Sequence, residues 1–301
     1  MNRSPSHPAH ALTAAPLRPE AKGTVPVSIF IQTLNEENNL PGLLASCAWC
    51  DDICVLDSLS ADRTEEISRE AGARWFARAY DGRGPHQNWA MENIDFKHAW
   101  VFYLDADERM TPELLDEIAA IARDENEHRV AFYCGRKNYL YGKWLKHAMP
   151  PSDILRFFKP PHVRFARLAN PVPTIDGEFG RLTQHFIHYN FSKGIGEWFQ
   201  RHNKYSTYEA TETVRALREN PVRLRELFAK DRYTRRLQLK NISFRLPGRP
   251  VLGFLYMALV QRGILDGRAG LTYCPLQAIY EYQIVLNVRE IKRVERGDTP
   301  A

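Results

Sequence analysis

Apolar runs alternate with polar stretches in a regular grammar through the first 125 residues. Residues 25–31 form an apolar, partly β-branched run that predicts a buried strand. A polar loop and a short helix at 40–47 follow, then a strand at 52–56. Asp62 is placed as N-cap of a helix over 64–71, with Glu65 and Glu66 in its first turn and Gly72 closing it. A strand at 74–77, a helix at 86–94 and an apolar aromatic strand at 100–104 continue the pattern. Thr111 as N-cap and Pro112 at the first helical position then open a helix over 112–123. Strand–helix alternation with short connectors predicts an α/β fold: a doubly wound, mostly parallel sheet whose ligands sit at its carboxyl edge.

Beyond residue 123 the grammar changes. Strands are predicted at 130–134, 154–158 and 186–189, punctuated by Gly and Pro, as an antiparallel extension with acceptor-binding loops. From Gly194 the pattern is helical: 197–217, a helix starting at Pro221, then 251–264 and 275–294. Residues 1–24 are rich in Pro, Ala, Ser and His without periodicity, which predicts a disordered tail. The expected organisation is this tail, an α/β domain over 25–192 and a basic helical extension over 193–301 that associates with membranes.

Composition sharpens this picture in three places. With 301 residues, 44% of them hydrophobic, the chain can bury a sizeable core. Its net charge of +5 is modest, but basic residues crowd 215–249, interleaved with Leu227, Phe228, Leu239, Ile242 and Phe244. Such a stretch suits an anionic membrane interface, a nucleic acid or a solvated helical face; the membrane is the expected partner, with no nucleic acid. Cys47 and Cys50 form a CxxC, but no second pair completes four metal ligands, so these thiols and Cys54 are expected as small core residues. Five cysteines without a secretory signal point to a reducing compartment. No apolar stretch approaches the roughly 18 residues of a membrane-spanning helix.

Three polar clusters converge at the predicted carboxyl edge: 33–37, 57–62 and Asp105-Ala106-Asp107-Glu108. Carboxylates packed this closely repel one another, and a divalent metal carrying a phosphate relieves them. Asp57 can accept from a ring N–H of a base and Asp105 from a ribose hydroxyl. Asp107 can ligate Mg²⁺ or Mn²⁺ bridging a diphosphate. The edge therefore suits a nucleotide with a leaving group.

These three motifs, in this order and each at a strand end, resemble glycosyltransferase family 2, the inverting GT-A fold of nucleotide-diphospho-sugar transferases. Arg156-Phe157-Phe158, His188-Tyr189, Asn203-Lys204-Tyr205-Ser206 and Leu265-Asp266-Gly267-Arg268 extend the likeness. They resemble the branch containing bacterial lipopolysaccharide-core glucosyltransferases. The resemblance implies that Thr33, Asn35, Glu36 and Asp57 line a nucleoside pocket, for uridine. It further implies that Asp105 contacts the nucleotide, that Asp107 binds the metal, and that a later histidine, His188 before His185, is a further ligand. Two departures stand out. The Glu-Asp motif followed by Gln-x-x-Arg-Trp of many members is absent, and Asn170-Pro171 replaces a His-Glu pair near the acceptor site.

Inversion needs a carboxylate base near the acceptor hydroxyl. The candidates are Asp153, Asp176 and Glu178, with Asp153 favoured because Pro150-Pro151 would fix its loop. The expectation is a metal-dependent hexosyltransferase using a UDP-sugar. Its acceptor is a glycolipid or lipid-linked saccharide of cell-surface polysaccharide or lipopolysaccharide, met at the inner face of the cytoplasmic membrane. The rivals are a polyprenyl-phosphate sugar transferase, which needs no hydroxyl base, and a non-catalytic nucleotide- or glycan-binding module.

Overall fold

The structure, a computed structural model, describes residues 24–166, 172–219, 223–229, 231–244, 246 and 248–299. The expected tail over 1–24, apart from Thr24, the helix start expected at Pro221 and the Asn170-Pro171 departure lie outside them. The chain divides into two compact units. One runs from the first described residue to Gly142 and includes Pro151–Ser192; the other comprises Lys143–Pro150 and the residues from Lys193 onward.

In chain order the strands and helices are β1 (Val27–Thr33), α1 (Leu40–Ser46), β2 (Ile53–Asp57), α2 (Thr64–Glu70), β3 (Arg74–Ala77), α3 (Arg83–Asn93) and β4 (Trp100–Asp105). Then come β5 (Glu108–Arg109), α4 (Pro112–Arg123), β6 (Ala131–Leu140), β7 (Lys143–Trp144), β8 (Asp153–Phe158), β9 (Val163–Ala166), β10 (Val172–Ile175) and β11 (Phe179–His188). In the first unit the sheet order is β3-β2-β1-β4-β8-β6-β11-β5. β3, β2, β1 and β4 are parallel neighbours. β8 runs against both β4 and β6, while β11 lies parallel to β6 and pairs antiparallel with β5. β9 and β10 form a separate antiparallel pair.

Period-two alternation divides the core between the two faces of this sheet. Ile29, Ile31, Val55, Phe102 and Leu104 pack with Leu40, Leu43, Leu114 and Ile118 from α1 and α4. Phe30, Cys54, Leu56, Val101 and Tyr103 face the other way, onto Ala90, Met91 and Ile94 around α3. Cys47, Cys50 and Cys54 are buried and free, and burial pushes the Cys47 and Cys54 thiols up to about 12.

Several expected boundaries move. Arg63, not Asp62, is the N-cap of α2, although Asp62 still accepts from the Thr64 N–H at 3.0 Å. The last strand begins at Phe179, well before the expected 186, because its first half is stabilised by pairing with β6 rather than by its own alternation.

The second unit is helical: α5 (Gly194–Glu219), α6 (Arg232–Ser243), α7 (Arg249–Leu255) and α8 (Arg268–Glu295). The helix expected over 251–264 does not run through. α7 passes into a π-helical turn at Tyr256–Val260, and Arg262 then adopts left-handed backbone, which ends it. α8 begins at Arg268 and accommodates Pro275 within it, seven residues earlier than expected. Buried Asp266 accepts from the His147 and Ala148 N–H groups at 2.9 and 2.8 Å, anchoring the 143–150 segment. Gly270 lets α8 approach that turn: a Cβ there would lie 1.9 Å from the Gly263 carbonyl oxygen. Among the described residues no helix is long and apolar enough to cross a membrane.

Candidate active site

The carboxyl ends of β1, β2 and β4 lie side by side. Thr33 is in register with Asp57, and Gln32 with Asp105. Asp57 is buried, and its carboxylate accepts three hydrogen bonds. They come from Thr33 Oγ1 at 2.7 Å, the Ser60 N–H at 2.6 Å and Ser60 Oγ at 2.5 Å. A carboxylate offers about four such acceptor positions, so these three do not exhaust it.

Asn35 and Glu36 tie the β1–α1 loop to the β2–α2 loop. The Asn35 N–H donates to Ser60 Oγ at 2.7 Å and Asn35 Oδ1 accepts from the Ala61 N–H at 2.8 Å. The Glu36 N–H donates to Thr64 Oγ1 at 2.8 Å. The Glu37 N–H donates to Asp62 Oδ2, and Glu37 Oε2 accepts from the Arg63 N–H. Asn35 sits at φ +54°, a left-handed conformation that Asn tolerates better than most side chains.

The acidic turn after β4 splits into two environments. Asp105 Oδ2 accepts from Arg83 Nη2 at 2.9 Å and Arg156 Nη2 at 2.8 Å, and Tyr103 Oη donates to Oδ1 at 2.5 Å. Desolvation alone would push the Asp105 carboxyl up. Arg83 and Arg156 outweigh it and hold the group well below the usual carboxylate range. Glu108 is fully buried and accepts from Arg156 Nη2 at 2.7 Å and the Asp105 N–H at 2.8 Å. Burial pushes its carboxyl up against the pull of that guanidinium. Arg156, itself 1% exposed, packs its guanidinium over the rings of Tyr103 and Phe186, at 4.3 and 5.3 Å.

Asp107 has a different neighbour. Its Oδ2 lies 3.3 Å from His188 Nε2, at the end of β11 and 81 positions along the chain. His188 is in register with Glu108 across β5 and with Asn138 across β6, and its Nδ1 is 2.8 Å from Asn138 Oδ1. An amide oxygen can only accept, so Nδ1 donates to Asn138, and in a neutral imidazole Nε2 is then the atom that can ligate. One imidazole nitrogen and one carboxylate oxygen held this close form a donor set that Mg²⁺ or Mn²⁺ accepts. Among the described residues no group of three or more His, Cys, Asp or Glu side chains could hold a metal, so an ion here would take its other ligands from substrate and water. His185 packs instead against Gly135 of β6, where a Cβ would lie 2.4 Å from its ring.

The three base candidates separate. β8 runs against β4 with Phe157 opposite Phe102, so Asp153 lies at the Asp105 end of the sheet, ion-paired with Arg181. β6 begins at Ala131 opposite Phe158, and β11 begins beside it at Phe179. The turn holding Asp176 and Glu178 is therefore at the opposite edge. There Asp176 exchanges hydrogen bonds with His162, and Glu178 pairs with His128 at 3.1 Å on the surface. Neither reaches the carboxyl edge.

Arg83, Tyr103, Asn138 and Arg156 were not assigned to the site from sequence. Arg156 did carry a signal: a lone guanidinium within the apolar β8 run needs a buried acid to face.

A family profile described as "Glycosyl transferase family 2" matches residues 28–185, more than half of the chain. An uncharacterized glycosyltransferase of Rickettsia typhi is 29% identical over 149 residues, 48% of this chain and 49% of the relative, so the match spans about half that protein's length. The lipopolysaccharide core biosynthesis glycosyltransferase LpsC of Rhizobium meliloti is 28% identical over 233 residues, covering 72% of this chain and 82% of LpsC. Among solved structures, TarS of S. aureus is similar with a TM-score of 0.43 at 14% identity, covering 90% of this chain and 92% of that one.

Proposed function

The chain belongs to glycosyltransferase family 2, with its GT-A fold, and we propose that it transfers a hexose, with inversion, from a UDP-sugar to a hydroxyl of a glycolipid or lipid-linked saccharide of the cell surface. One observation carries this reading: Asp107 and His188, 3.3 Å apart, stand at the same sheet edge as Asp57 and Asp105. Asp57 takes a uracil N–H with its remaining lone pair. Asp105, kept ionised by Arg83 and Arg156, takes a ribose hydroxyl. Asp107 and His188 would hold Mg²⁺ or Mn²⁺, which would supply charge neutralisation for a diphosphate leaving group. Asp153 is the base, once the acceptor separates it from Arg181.

The likeness to LpsC supports an acceptor of the lipopolysaccharide-core kind. The basic residues of 223–249 support an anionic membrane as the surface where the acceptor is met, at the cytoplasmic face. The experiment is a panel of nucleotide sugars with Mn²⁺ or Mg²⁺, reading release of nucleoside diphosphate. Metal-dependent release of UDP is expected. Release indifferent to a chelator, or only from other nucleotides, overturns the assignment.

A second reading is favoured by the Asp153–Arg181 pair, which neutralises the one candidate base at the right edge. A polyprenyl-phosphate acceptor is already an anion and needs no base. Transfer to a phosphate acceptor and not to a hydroxyl one would select it.

A further inference from the structure

The helical segment 249–260 in the second unit has no polar face. Its inner side is formed by Phe254, Met257 and buried Ala258. Its outer side is Val251, Leu252, Leu255, Tyr256, Leu259 and Val260, between 43% and 68% exposed. These fall at i, i+1, i+4, i+5, i+8 and i+9, one continuous stripe along the helix. Past the Arg262 turn, Ile264 and Leu265 extend it, at 45% and 58% exposed. A helix apolar all round is normally covered on every side, yet this one is covered on one. Scattered exposed leucines are ordinary; a stripe this long is not.

Charge says what covers it. Residues 232–265, which contain the whole stripe, carry seven Lys and Arg and no Asp or Glu. Arg249, at the start of the helix, is paired with Glu281 at 2.9 Å, and Arg262 stands exposed at its end. An apolar stripe bracketed by bases, with a tyrosine half-exposed along it, matches the boundary between anionic headgroups and acyl chains. The twelve residues span roughly 18 Å at the usual helical rise, well short of the ~30 Å hydrocarbon core. The helix therefore lies in one leaflet and does not cross.

We propose that the stripe from Val251 to Leu265 inserts into an anionic lipid leaflet, making the protein monotopic rather than held by charge alone. This deepens the reading of a membrane-borne acceptor and rests on it. The geometry distinguishes the two modes of attachment. Attraction between arginines and headgroups is screened within about 3 Å at 1 M salt, whereas burial of leucine side chains is not weakened by salt.

The test is flotation of the full chain with vesicles of phosphatidylethanolamine and phosphatidylglycerol, at low salt and at about 1 M salt. The wild type should float under both conditions. The double substitution Leu255→Glu/Leu259→Glu should weaken partitioning at high salt by roughly a hundredfold, since two buried leucines are withdrawn. Leu255→Ser/Leu259→Ser, a gentler pair, should fall in between, and both variants should keep the helical circular dichroism and melting of the wild type. Loss of wild-type flotation at high salt overturns the proposal. So does a wild type that sediments as a dimer and becomes a monomer on the same substitutions, because the stripe is then a face between two copies. Donor hydrolysis, measured alongside, separates the claims: UDP release without salt-resistant flotation sinks insertion alone, and flotation without UDP release sinks the transferase reading alone.

Discussion

Asp105 and Asp107 stand two residues apart in one turn and have opposite surroundings. Asp105 shares Arg156 with buried Glu108 and accepts from Arg83 and Tyr103 as well. Asp107 has a histidine Nε2 beside its carboxylate. The first acid is held and kept ionised by two guanidinium cations, and the second lies beside an imidazole. Two residues of spacing thus give one acid a pair of arginines and the other a histidine.

The strongest way to break that distinction is Arg156→Met. It removes the guanidinium that Glu108 and Asp105 share and leaves a buried carboxylate uncompensated, which costs roughly 3–5 kcal/mol of stability. Urea unfolding should show this, and Arg156→Lys should rescue little, since an ammonium cannot both stack between Tyr103 and Phe186 and reach two acids. A loss below about 1 kcal/mol would mean that the pair does not anchor the turn.

Asp107→Asn should do the reverse. Turnover is expected to fall by about 10²–10³-fold, the scale of one lost electrostatic contact to the developing charge, with melting unchanged or slightly raised. Activity near wild type would show that Asp107 does not serve the leaving group.

A smaller effect, and a sharper one, is expected at Asp57. Asp57→Ala should raise the donor KM by about tenfold while kcat moves less, because a base contact is the same in ground and transition states. A fall in kcat at constant KM would contradict the nucleoside role.

The smallest effect is a pH dependence. The folded protein raises the Glu108 pKa above its unfolded value. The stability this contributes is fully present below the unfolded value of about 4.3 and is lost as pH rises through the folded one, near neutrality. Asp105 is depressed, so its contribution is present above about 3.9 and is lost only in strong acid. From pH 5 to 8 stability should therefore decline by the order of 1 kcal/mol, and Glu108→Gln should flatten the decline. An unchanged slope in that variant would assign the decline to another group.

Much of this site could be read from residues 25–123, because local alternation decides which strands are buried and where each one ends. Thr33, Asp57 and Asp105 sit at strand termini for that reason. What could not be read was pairing at a distance. Nothing local says that β11 runs parallel to β6, or that its start lies at the far edge; Pro150-Pro151 favours Asp153 over Asp176 and Glu178 as base, but only the register puts the other two at the opposite edge. The break in the helix at 251–264 was equally hidden, since the apolar pattern continues through it and a left-handed arginine carries no marker.

The reciprocal bonds between the loops after β1 and β2 bear on motion. The amides of Asn35, Glu36, Glu37, Ala61 and Arg63 each donate to the other loop, so neither loop can lift without releasing both. Their backbone hydrogens should exchange with solvent as one cooperative unit, at a single opening free energy, while amides in the unstapled loops exchange one by one. A pocket that opens only as a whole pays little ordering entropy when a nucleotide enters, so the affinity of this site should be set by fit and hardly at all by rearrangement.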